Sequence, residues 1–254
     1  MESFEQEALA IVEEMQARRL STYLFEPLEI KFDLASPVVL TYPWICIDGY
    51  VAYATGLDIL GQDTWALFQD KNPRDIWDAL PVPIARIGGK DGSFFYKCSV
   101  GRFSDPGAIS SRQYNKMFCS EGIASNIATK RSYMIVGGQF KLRCIRYPVN
   151  YSSSITFWCN GDKTWLGMYC KGLLAFGART AAGNGRIEKY TITSIPRDFS
   201  ILHPVHGVNR PVPVPAAIEL GLPDAGTRIA SLSCKPPNWS KANHVLCRIP
   251  EGFT

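Results

Sequence analysis

Leu28, Ile30, Phe32 and Leu34 alternate with Glu29, Lys31 and Asp33. A period of two marks a strand with one face buried and the other wet. A second alternation sets Ile155, Phe157 and Cys159 on one side of another strand. In a third, Lys141 and Arg143 alternate with Phe140, Leu142 and Cys144, and Tyr151-Ser152-Ser153-Ser154 is the turn between the two. Residues 186–193 read as a further strand. The Pro- and Gly-rich residues 81–92 read as a connection followed by strand-like 93–100, and 103–115 as an irregular loop.

Helical spacing fills the gaps. Ser3 and Gln6 form a capping box before Leu9, Val12 and Met15, with Arg18 and Arg19 at the far end. Asp48 caps a helix through Tyr50, Val51, Ala54 and Leu57 that Gly61 ends. Residues 63–80, with Trp65, Phe68, Ile76 and Trp77, add a short helix or two. Gly161 and Asp162 introduce a helix whose stripe of Leu166, Cys170, Leu173 and Leu174 stops at Gly177. Nine of the 17 prolines follow Ile195, so the tail is expected to pack as extended chain. The order of elements predicts an α+β fold with helices on one face of antiparallel sheet.

With 46% apolar and 20% charged residues, the chain of 254 has ordinary globular usage, which excludes a disordered or acidic solvating protein. Its longest apolar stretches are broken by Pro37, Pro43 and Gly177, well short of a membrane span. The acidic start, Met1 to Glu7, lacks the basic then apolar order of a secretory signal and points to the cytoplasm with reduced thiols. No two of the eight cysteines are spaced as zinc pairs usually are; Cys234 with His244 and Cys247 would be the best zinc candidate. Cys144, Cys159 and Cys170 read instead as small buried apolar residues, and no metal or cofactor is called for.

Charge is distributed unevenly. Residues 1–80 hold 5 Lys and Arg against 14 Asp and Glu, a balance of −9, whereas residues 97–190 hold 14 against 4, a balance of +10. The basic segment carries Tyr114, Phe118, Tyr133, Tyr147, Tyr151, Trp158 and Tyr169, the composition of a polyanion-binding surface with stacking partners. The alternative is a solvated basic face paired to the acidic third, as in a scaffold protein. Residues 171–190 join a helix to a strand through Gly177, Gly183 and Gly185, with Arg179, Arg186 and Lys189 around them. Glycines let a phosphate backbone approach main-chain N–H groups, although this helix-to-strand order is the reverse of a Walker or dinucleotide loop.

The run from Phe157 to Tyr190, with Gly-x-x-Arg-Thr-x-x-Gly-x-Gly-Arg-Ile, resembles the carboxy-proximal glycine-rich loop of the RAMP superfamily of CRISPR-associated RNA-binding proteins. Ile47 to Tyr53 is similar to that superfamily's first-helix motif. Pro196 to Ser200 and Asn209 to Val214 resemble the small RAMP subunit of type IV effector complexes, counterpart of the subunit that caps the five-prime handle of the guide RNA. The resemblance implies a ferredoxin-like (RRM-like) core, with a thumb-like insertion at about residues 85–146, in a domain of residues 1–215 and an extended tail of 216–254. It implies a non-catalytic CRISPR RNA-binding subunit in which Lys171, Arg179, Gly183, Gly185, Arg186, Lys189 and Arg210 line the handle. Charge and position alone add Arg112, Lys116, Lys130 and Arg131 on the insertion. Guide RNA and the backbone and large subunits are the implied partners, with target DNA and a helicase left open. The runner-up is a metal-independent guide-processing endoribonuclease, with His203 and His206 as an acid–base pair. Those histidines lie in the tail, away from the first strand and helix where processing members keep theirs.

Overall fold

The computed structural model describes residues 2–64, 74–88, 94–116, 143–223, 228–238, 240–250 and 252. Its main sheet is built on β1 (Phe25–Leu34), which pairs antiparallel with β8 (Ser154–Asp162) on one side and β9 (Ile187–Ser194) on the other. With β5 (Arg102–Phe103) beside β8, the order is β5-β8-β1-β9. The two alternations of period two meet in register, Leu28 opposite Cys159, Ile30 opposite Phe157 and Phe32 opposite Ile155, and all six are buried. Phe32 makes edge contacts with Phe157 and Phe176 at centroid distances of 5.9 and 4.9 Å. Fully burying each such side chain is worth about 1.5–3 kcal/mol, so this face anchors the fold.

Three helices cover that face. α2 (Ile47–Leu60) buries Ile47, Val51 and Ala52 and ends at Gly61, which has φ of 61°. α4 (Lys163–Lys171) is capped by Asp162, whose carboxylate accepts the Trp165 amide at 3.0 Å, and buries Leu166, Tyr169 and Cys170. α1 (Glu2–Leu20) begins one residue ahead of Ser3, the expected cap, and buries Ala8 and Val12. Its Arg19 pairs with Asp58 at 2.7 Å and lies 4.6 Å from the Trp165 ring, tying α1 to α2 and α4. A short α3 (Arg74–Ala79) completes the layer with buried Ile76 and Trp77, while Trp65 and Phe68 lie outside the described residues. Among the described residues no helix is long and apolar enough to cross a membrane.

Several local expectations are corrected. Asp48 is not a cap: Cys46 holds that position, and Asp48 is buried in the first turn, ion-paired with Arg210. The helix at 163 ends at Lys171, so Leu173 and Leu174 lie beyond it, and Leu174 is 76% exposed. Residues 109–116, inside the supposed loop, form β6 (Ile109–Lys116), an antiparallel partner of β7 (Arg143–Asn150). Its sequence, Ile-Ser-Ser-Arg-Gln-Tyr-Asn-Lys, has no apolar alternation because both faces of the hairpin are largely open. Cys144 is exposed on that hairpin rather than buried. The insertion expected at 85–146 is partly core, since Tyr96 and Cys98 lie in the main hydrophobic cluster.

The tail holds more regular structure than its prolines suggest. β12 (Val212–Pro213), β13 (Ile229–Ser233) and β14 (His244–Arg248) form a sheet of order β12-β14-β13, and α5 (Val214–Glu219) follows β12 directly. Val212, Ala216, Ala217, Cys234 and Cys247 share a second core with Val208 and Phe95, which belongs to β4 (Phe94–Tyr96). β4 pairs with β3 (Arg86–Gly88). Cys234 and Cys247 are hydrogen-bonded, which holds the Cys234 thiol down and pushes that of Cys247 up. Among the described residues no three His, Cys, Asp or Glu side chains are grouped to hold a metal.

Candidate nucleic-acid interface

The glycine-rich segment between α4 and β9 is strapped into the fold by main-chain bonds. Phe176 N–H donates to the Gly185 carbonyl at 2.8 Å, Gly185 N–H to Pro37 at 2.7 Å, and Ala178 N–H to Val39 at 2.9 Å, Val39 belonging to β2 (Val38–Val39). Ser36 Oγ accepts the Arg186 amide at 2.8 Å. The glycines divide by role. A Cβ on Gly185, which has φ of +67°, would overlap the Phe176 carbonyl, so this glycine is a packing requirement and its N–H is already committed. Gly183, with φ of +80°, faces open space and leaves the loop surface bare for an approaching ligand.

Arg179 opens the short 3-10 turn of this loop in the left-handed region, at φ of 58°, alone in this among the described non-glycine residues. Such a conformation costs about 1–3 kcal/mol and is kept where the surroundings enforce it. Here they do. The Asn184 side-chain amide is buried and donates to the Arg179 carbonyl at 3.0 Å. The guanidinium of Arg179 then lies 5.5 Å from the ring centres of both Tyr114 and Tyr147. Those rings meet edge to face at 5.8 Å across the β6–β7 hairpin, on the hairpin face that also bears Arg112. Arg112 in turn donates to Asn184 Oδ1 at 3.2 Å. The loop and the hairpin, widely separated in sequence, thus share one junction with Asn184 at its centre.

The predicted contacts sort accordingly. Arg112 and Arg179 come together, and Arg186 is exposed at the foot of β9. Lys189 is exposed on β9, 3.4 Å from Asp33, an open ion pair worth little. Lys171 is exposed in the last turn of α4, where a cation complements the helix dipole. Lys116 ends β6 opposite Arg143; Lys130 and Arg131 lie outside the described residues. Arg210 is a correction: its side chain is 3% exposed, pairs with Asp48 at 3.2 Å and donates to the carbonyls of Tyr96, Cys98 and Cys234. It joins α2 to the tail and reaches no outside ligand. Asn184 went unpredicted, its one sequence signal being an amide placed between two glycines.

The histidines do not form an open acid–base pair. His203, in β10 (Leu202–His203), accepts the Val205 and His206 amides at Nδ1, at 3.1 and 3.3 Å. The two imidazoles stack at 4.5 Å. Burial, then the nearby Arg102 charge, lowers both below the usual histidine range.

No curated protein matches this sequence. Among solved structures the chain is similar to one in the cryo-EM structure of the Type III-B Cmr-beta bound to cognate target RNA, at 8% identity and a TM-score of 0.36. That likeness covers 71% of this chain and 64% of the other, less than two thirds of its length. A family model matches residues 26–250, from the second residue of β1 to just past β14, and it describes CRISPR type IV associated protein Csf3. The match spans nearly the whole chain, so the protein belongs to the Csf3 family of CRISPR type IV associated proteins.

Proposed function

We propose that this chain is a non-catalytic guide-RNA-binding subunit of a type IV effector complex, capping the five-prime handle and abutting the adjacent backbone subunit. A ferredoxin-like core is supported by the order β5-β8-β1-β9, with α2 between β1 and β5 in sequence and α4 between β8 and β9. One observation carries the reading: cations from two distant segments, Arg112 and Arg179, converge on Asn184 with two tyrosine rings behind them. Guanidinium groups match phosphate oxygens, the half-buried tyrosine rings hold the Arg179 guanidinium, and such contacts position an RNA without reading each base. Non-catalytic binding is favoured by the commitment of His203 Nδ1 to two backbone amides, which occupies the lone pair a general base would use.

The test is a labelled guide-repeat RNA mixed with the protein in EDTA and run on native and denaturing gels. A shifted, intact RNA is expected, and the shift should need many-fold more protein when Arg179→Glu and Arg186→Glu are combined. An undiminished shift with that variant, or a cleaved RNA, would contradict the reading.

A further inference from the structure

Asn184 stands between two glycines of positive φ, Gly183 at +80° and Gly185 at +67°, and the chain is pinned on both sides of it. Gly183 N–H donates to the Thr180 carbonyl at 2.9 Å, closing the short turn, and Gly185 N–H donates to Pro37 at 2.7 Å. Between these two anchors the asparagine is only 3% exposed. A buried primary amide needs a partner at each end. The Arg179 carbonyl can only accept and the Arg112 guanidinium can only donate, so Nδ2 faces the first at 3.0 Å and Oδ1 the second at 3.2 Å. An aspartate here would lack the donor, and a glutamine would carry its amide one methylene farther out.

Arg112 and Arg179 are exposed residues on separate elements, β6 and the glycine loop. Long side chains lose rotamer freedom when they grip a ligand, and ordering them beforehand removes that cost from binding. Asn184 engages one of the N–H donors of Arg112 and leaves the rest of the guanidinium fork for a phosphate. On Arg179 it holds the main-chain carbonyl instead, fixing the left-handed turn from which the side chain departs. The rings of Tyr114 and Tyr147 then flank that guanidinium at 5.5 Å. Asn184 itself carries no charge and is too deeply buried to meet a ligand. Its effect on binding is therefore separable from that of the cations it holds.

We propose that Asn184 is a positioning residue of the RNA site: it touches no RNA, and it orders Arg112 and Arg179 so that their guanidinium groups meet phosphates as a preset pair. This rests on the guide-RNA reading of the same junction. The test is the affinity of the full chain for the labelled guide-repeat RNA across a salt series. Each cation–phosphate contact on a single strand adds about −0.7 to the slope of log affinity against log salt. Asn184→Ala removes no charge, so its line should run parallel to that of the parent and lie lower by about fivefold or more, the cost of ordering two long side chains. Arg112→Ala should instead flatten the slope by about 0.7, and so should Asn184→Asp, whose carboxylate takes up the Arg112 charge. Equal affinities of Asn184→Ala and parent at every salt concentration would overturn the proposal. A flattened slope in Asn184→Ala would do the same, because the contacts themselves would then have gone with the loop, and so would an unchanged slope in Asn184→Asp. A parent that binds the RNA with no salt dependence, or not at all, would refute the guide-RNA reading along with this one, whereas a salt-dependent parent with an undisplaced Asn184→Ala line would refute this one alone.

Discussion

Arg210 and Arg179 both belong to motifs that suggest RNA contact, and burial separates them. Arg210 has 3% of its side chain exposed and an anion at 3.2 Å. Removing one partner of such a pair leaves an uncompensated buried charge, so Asp48→Ala should destabilise the protein by about 3–5 kcal/mol in urea unfolding. A loss below 1 kcal/mol would mean that water already reaches the guanidinium. The glycines allow a second comparison at this scale. Gly183→Ala, strained in φ but unobstructed, should cost about 1–2 kcal/mol, and Gly185→Ala more, because its methyl would also displace the Phe176 carbonyl. Thermal melts of the two variants check the order. Charge was legible in the sequence at each of these positions and exposure was not. Nothing in Asn209-Arg-Pro-Val-Pro-Val214 says that a carboxylate about 160 residues earlier in the chain will take the arginine.

Elements whose apolar residues keep a clean period were readable: β1 and β8 formed where their spacing predicts, and α2 formed over the expected residues, although it buries Ile47, Val51 and Ala52 and leaves Leu57 exposed. β6 was not, because it carries no apolar alternation and its residues 109–115 are exposed apart from half-buried Tyr114 and Ala108 before them, and its pairing comes from β7, which follows after a long intervening segment. The same hairpin makes a specific prediction. If Tyr114 and Tyr147 hold Arg179 in place, replacing both by Ala should weaken guide-RNA binding several-fold, within the range of about 1–3 kcal/mol per stacked group, while Phe at both positions should not. The hairpin of β10 and β11 (Gly207–Val208) responds instead to pH. His203 and His206 have folded-state values lowered below 6.5, first by burial and then by Arg102. Their contribution is therefore complete above pH 6.5 and is lost as pH falls through the lowered values, because the unfolded chain binds protons first. Protonated Nδ1 can no longer accept the Val205 and His206 amides. The protection factors of those two amides, which allow for the slower intrinsic exchange at low pH, should fall on acidification, whereas those in β1 should not; a uniform fall would refute a local effect.

For the whole molecule, the −9 and +10 segments were plain in the sequence, yet charge alone left a basic scaffold face and an RNA surface equally open. The fold puts the two charged segments in different places. Much of the acidic third is α1 and α2, which cover one face of the sheet, while Arg112 and Arg179 meet at the junction of the glycine loop with the hairpin, and Arg186 is exposed at the end of that loop. What the sequence could not reveal is that junction itself, since Arg112 and Asn184 lie about 70 residues apart and Arg179 meets Tyr114 and Tyr147 only through the fold. Membership of the Csf3 family agrees with the resemblance read from the loop and tail motifs, even though one residue drawn from the tail motif, Arg210, proves to be structural.

The most direct measurement of the central claim is the salt dependence of guide-RNA affinity for the parent and for the Arg179→Glu, Arg186→Glu variant. Each phosphate contact on a single strand contributes a slope of about −0.7 in log affinity against log salt, so the variant's slope should be shallower by about 1.4. Parallel lines for the two proteins would contradict the account, because they would place the phosphate contacts somewhere other than the glycine loop.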